Sequence, residues 1–126
     1  MLISVEGEAS ARDVWRRYTH PATWPEWAPQ IRRVDTGDDV LERGTRGTVH
    51  GPALTRVPFR IRSVDHAGRR WSWWVGFGPV GVGMDHGVDA TDTGSRAWVR
   101  IHAHRYLVRP YVPAAKLALR RLVRTT

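Results

Sequence analysis

Among the residues of this chain with side chains suited to chemistry, His86 stands apart. Residues 84–90 set Met84, His86, Val88 and Ala90 against Asp85 and Asp89, the period-two pattern of a half-buried strand. His86 is thus the one titratable group expected to face an apolar interior. Such a histidine suits a general base, or a group that orients a ligand's carbonyl or hydroxyl. It equally suits a core position satisfied by a backbone carbonyl or a tyrosine. No acid shares its expected face, so no catalytic triad is assembled.

His102 and His104 stand two apart, which in a strand puts both on one face. A metal needs a third ligand, and the chain has no HxxxH helix and no cysteine, so no metal is expected. The run Gly76-Phe-Gly-Pro-Val-Gly-Val-Gly83 has the composition of a phosphate cradle. Its spacing fits neither the dinucleotide fingerprint nor the P-loop, and no helix follows. It is expected to be a mobile hairpin loop at a cavity mouth, and no cofactor is expected. The chain also carries seven tryptophans. Trp15, Trp27, Trp71 and Trp73 are placed at the core or a cavity wall, where each buried indole N–H needs a partner that a polar ligand or water could supply. Trp74 and Trp98 have the opposite parity and are expected outside, packed under arginine side chains.

The elements that must position these groups follow from periodicity. Residues 2–8, 30–36, 46–53, 56–65, 69–76, 84–90 and 95–106 read as strands. Ser10 is a fit N-cap for a helix over 11–19 whose inner face is Val14, Trp15 and Tyr18. Three prolines between residues 20 and 29 allow only one short turn there, with Trp24 and Trp27 on one side. Residues 110–124 form the one run periodic enough for a multi-turn amphipathic helix. Val112, Ala115, Ala118, Leu119, Leu122 and Val123 fall in one arc roughly 140° wide. Pro113 is tolerated in the first turn, and Leu117 is the apolar exception on the charged side. Strands joined by short turns imply an antiparallel sheet, and the terminal helix is the available cover for its apolar face.

The net charge is +8, and its distribution is uneven. Residues 1–92 hold twelve arginines and all twelve acids; residues 93–126 hold seven arginines, Lys116 and no acid. Arg96, Arg100, His102 and His104 are expected to meet Glu6 and Glu8 on one neighbouring strand and Asp85 and Asp89 on the other. That leaves Arg120, Arg121 and Arg124 of the helix as unpaired charge, a candidate contact for nucleic acid or an acidic membrane surface. No apolar run approaches the ~20 residues of a membrane span. The N-terminus has no secretion-signal pattern, and the cytoplasm is the expected compartment.

The pairs and runs Val14-Trp15, Pro21-x-x-Trp-Pro-x-Trp-x-Pro29, Gly44-x-x-Gly47, Trp71-x-Trp73 and Thr93-Gly-Ser-Arg96 after the His86 strand make the chain similar to the SRPBCC superfamily. These are the START-like, polyketide cyclase/dehydrase-type proteins. The resemblance implies an α+β helix-grip fold over a single domain, 1–126. In it a seven-stranded curved antiparallel sheet has two short helices after strand 1 and a long C-terminal helix across its concave face. It also implies a cavity between helix and sheet, small or partly open because this helix is short. The cavity is expected to be lined by Trp27, Phe59, Ile61, Trp73, His86, Val99 and Leu119, and to hold a small hydrophobic, polyketide- or lipid-like ligand. If there is catalysis, cyclisation or dehydration with His86 handling a proton is the expected chemistry. The other class of reading is a non-enzymatic module, monomer or homodimer, that docks an acidic partner such as ribosomal RNA on the basic helix.

Overall fold

The computed structural model describes residues 1–125; Thr126, the last residue of the expected domain, lies outside them. Seven strands, β1 (Leu2–Gly7), β2 (Arg33–Thr36), β3 (Arg46–His50), β4 (Arg56–Asp65), β5 (Arg70–Phe77), β6 (Val80–Ala90) and β7 (Ser95–His102), form one sheet. Its order is β1-β7-β6-β5-β4-β3-β2. Every neighbouring pair is antiparallel. Helices α1 (Ala11–Thr19) and α2 (Trp24–Trp27) follow β1, and α3 (Arg105–Val108) and α4 (Val112–Leu122) close the chain. This is the α+β helix-grip arrangement.

Local chemistry sets the ends of these elements. The Ser10 hydroxyl accepts from the Asp13 N–H at 3.1 Å and starts α1. Val14 and Tyr18 of α1 are fully buried. Trp15, expected beside them, is only half-buried, and its indole donates outward to His66 Nδ1 at 3.3 Å. The far end of α4 is fastened to the sheet. Arg17 Nη1 donates to the carbonyls of Leu122 and Arg124 at 2.6 and 2.8 Å, neutralising the negative helix terminus. Ala9 N–H donates to the Val123 carbonyl at 2.9 Å. Gly7 lies so close beneath Val123 that any Cβ there would collide with the Val123 side chain and carbonyl. The first strand and the last helical turn therefore lock together.

Two expectations are corrected. Gly76–Gly83 is not a loop: β5 and β6 continue through it to the register pair Phe77↔Val80, joined by a two-residue turn. Gly78, with φ +57°, turns the chain, and Gly76, with φ +149°, has no room for a Cβ against Gly81. Side-chain alternation cannot be seen where glycines supply no side chains, so the strand was hidden. Likewise β7 stops at His102 instead of reaching residue 106. The His104 ring accepts from the Tyr106 N–H at 3.3 Å and caps α3. His102 and His104 thus belong to different elements, and no metal-binding cluster exists among the described residues.

Candidate functional site

Helix α4 packs on β1 and β7, and its inner face closes a cavity shared with residues of β5, β6 and β7. At helical spacing, Ala115, Ala118 and Leu119 point downward and are buried. Trp71 and Trp73 of β5, Met84 and His86 of β6, and Val99 of β7 point upward, as strand alternation requires. The two alanines carry only a methyl group each, and a cavity remains between helix and sheet. Tyr18 of α1, with Trp24, Trp27, Ala28, Gln30 and Ile31 of the segment around α2, forms its side. Tyr111, just before α4, completes the lining, and Gln30 Nε2 donates to its hydroxyl at 3.3 Å. The partly exposed lining residues Trp27, Gln30, Ile31 and Tyr111 mark the open side.

The cavity is small. Its volume is about 60 Å³, against the several hundred typical of drug-sized sites. What fills the rest is aromatic. Trp24 stacks on Trp71 with centroids 5.7 Å apart and meets Trp73 edge-on at 5.5 Å. The Trp24 indole is satisfied by the Tyr18 carbonyl at 2.9 Å, and the Tyr18 hydroxyl by the Trp98 carbonyl at 3.1 Å. Burial holds the Tyr18 hydroxyl above the ordinary phenol range, so it stays neutral.

His86 lies flat on Trp71, its partner across the β5–β6 ladder, with centroids 3.8 Å apart and planes 6° from parallel. Tyr18 and Trp73 meet it edge-on. Burial pushes its pKa down to about 3, opposed by a backbone hydrogen bond at Trp71. The imidazole is therefore neutral at pH 7. A base this weak is poorly matched to proton abstraction near neutrality, but a neutral ring can still orient a ligand. Among the described residues, five lining atoms are buried with no protein hydrogen-bond partner: the indole nitrogens of Trp27, Trp71 and Trp73, His86 Nδ1 and Gln30 Oε1.

Five of the seven residues proposed from sequence, Trp27, Trp73, His86, Val99 and Leu119, line this one cavity. Phe59 and Ile61 do not. They face the same side of the sheet but sit farther along it, in the solid core, where Phe59 packs on Trp24 and Trp73 with centroids 5.8 and 5.3 Å away. Trp71, placed from sequence at the core or a cavity wall, lines the cavity. Sequence reasoning left Tyr18 and Trp24 out of the site, although Tyr18 was on the inner face of its helix and Trp24 three residues before Trp27. Gln30 and Tyr111 carried no signal, since each lies at the very start of its expected element, 30–36 or 110–124, and off its apolar stripe.

The charged surface divides as the strand order requires on one side only. Arg96 pairs with Asp89 at 3.5 Å and His102 with Asp85 at 2.8 Å. Toward β1, Glu6 faces Arg96 in register, but no ion pair joins them among the described residues, and Glu8 lies beyond the strand. Trp74 and Trp98 carry Arg62 and Arg70 over their rings at 5.2 and 5.0 Å. Arg120 and Arg124 are exposed; Arg121 and Arg124 line a surface depression that Asp13 and Glu26 share. No described helix is long and apolar enough to cross a membrane.

A family described as polyketide cyclase / dehydrase and lipid transport matches residues 3–126. Among solved structures, Ara h 8.0201 superposes with a TM-score of 0.75 at 12% identity, covering 97% of this chain and 93% of that one. The protein XoxI from Bacillus cereus does so with 0.76 at 13% identity, over 98% and 92%. BexL, a di-domain ARO/CYC from the BE-7585A biosynthetic pathway, gives 0.75 at 20% identity; the match covers 98% of this chain but 44% of BexL. No curated protein matches the sequence.

Proposed function

The chain belongs to the polyketide cyclase / dehydrase and lipid transport family, and from that premise we propose that it binds a small, largely apolar ligand in the cavity between α4 and the sheet. The observation that carries this reading is the cavity itself, held open by Ala115 and Ala118 above the Trp71, Trp73 and His86 surface. Burial of a ring against these walls supplies affinity, and His86 supplies a neutral polar contact. A volume of about 60 Å³ amounts to roughly four or five water-sized spheres. An apolar cavity that takes benzene measures about 150 Å³, so even a one-ring compound requires Trp27 and the Gln30–Tyr111 contact to move.

Binding without turnover is favoured over catalysis by His86, because its imidazole is not protonated to the acidic imidazolium near neutral pH and is a weak acceptor of a proton. The similarity to an ARO/CYC domain keeps a polyketide-like ring among the ligands worth testing. A panel of one- and two-ring neutral hydrophobes, followed by tryptophan emission and melting temperature, tests the proposal. At least one member should quench emission and raise the melting temperature. No response from any member would mean that the tryptophans themselves fill the interior.

A further inference from the structure

The ligand-binding reading leaves open what kind of molecule the cavity takes, and the inference here rests on that reading. Six of the seven indoles have a stated environment. Trp15, Trp24 and Trp74 donate to His66 Nδ1, the Tyr18 carbonyl and the Gly78 carbonyl at 3.3, 2.9 and 3.1 Å. Trp27, Trp71 and Trp73 have buried N–H groups with no protein acceptor, and all three line the same cavity. A buried donor without a partner destabilises a fold. One such group is an ordinary imperfection. Three lining one cavity, together with His86 Nδ1 and Gln30 Oε1, form a polar set that no described protein atom satisfies. The buried indole of Trp24, on the same cavity, is by contrast satisfied by the Tyr18 carbonyl.

The set has a definite chemical bias. An indole N–H donates and cannot accept. Among the described residues no arginine, lysine or carboxylate lines the cavity, and the histidine that does is neutral. An anion would enter without a countercharge, which is costly in an apolar site. A hydrocarbon would cover the donors and leave them unpaired. We propose that the cavity is selective for a neutral ring compound bearing a carbonyl or hydroxyl oxygen, which accepts from the indole N–H groups of Trp27, Trp71 or Trp73. Gln30 Oε1 is placed to accept from a ligand hydroxyl at the open side.

Acetophenone and ethylbenzene have nearly the same shape and differ in a carbonyl oxygen, so they isolate the donor set; benzoate adds the charge. Titrations monitored by calorimetry and by indole ¹H–¹⁵N spectra should show acetophenone binding about tenfold more tightly than ethylbenzene. Acetophenone should also move one or more of the three cavity N–H protons downfield in the wild-type protein, a readout independent of any variant's folding. In Trp73→Phe or Trp71→Phe the preference should shrink while ethylbenzene still binds. Equal affinities without a downfield shift would overturn the donor-set proposal and leave the cavity reading standing. Tighter binding of benzoate than of acetophenone would also overturn it. If none of the three binds, the cavity reading and this proposal fall together.

Discussion

Acid should destabilise this protein through His86 well before its carboxylates titrate. The ring is buried, at 8% exposure, and burial holds its pKa near 3 against an ordinary value of 6.5. Between those values the unfolded chain takes up a proton that the folded chain refuses. Stability from keeping the ring neutral is thus complete above about pH 6.5 and is lost progressively as the pH falls toward 3. From pH 7 to pH 5 the loss works out at about 2 kcal/mol from this one residue. Asp35, held below the ordinary carboxylate value by its hydrogen bond with His50, contributes only at lower pH. So does Asp89, held down, despite its burial, by Arg70 and Arg96. The assay is urea unfolding at pH 7 and pH 5 for the wild type and His86→Phe. Subtracting the two pH dependences cancels the other histidines. The variant should lose about 2 kcal/mol less than the wild type over that interval. Identical losses in both proteins would show that His86 is not buried as described.

Two further outcomes follow from the packing and the charge. Leu119 is buried under α4, so Leu119→Ala should cost roughly 2–5 kcal/mol in the same unfolding assay; an unchanged midpoint would mean that α4 presents a different face. Affinity for a neutral cavity ligand should be the same at about 50 and 200 mM salt, whereas phosphate binding on Arg120, Arg121 and Arg124 would collapse over that range. Steep salt dependence of ligand binding would move the site to the helix surface.

The architecture was legible because side-chain alternation marks strands and the residue 110–124 pattern marks a helix with one apolar face. It failed where the signal is physically missing. Glycines between 76 and 83 conceal a hairpin, and His104, in phase with His102, caps a helix instead of extending a strand. Parity also placed Phe59 and Ile61 on the correct face of the sheet but not their distance along it from α4. Hence they appeared beside the cavity and in fact fill the core. The size of the cavity is the least legible feature. It depends on which rings oppose Ala115 and Ala118, a matter of strand register and of how Trp24 and Trp27 fold back, and a proline-rich turn does not announce that.

The most direct test of a ligand site under α4 fills it. Ala118→Leu extends a buried side chain from the helix into the space above Trp71 and Trp73. Calorimetric titration of acetophenone into the wild type and this variant is the measurement. The wild type should bind and the variant should not, with its melting temperature retained. Equal affinity in the two proteins would place the binding elsewhere and contradict the account.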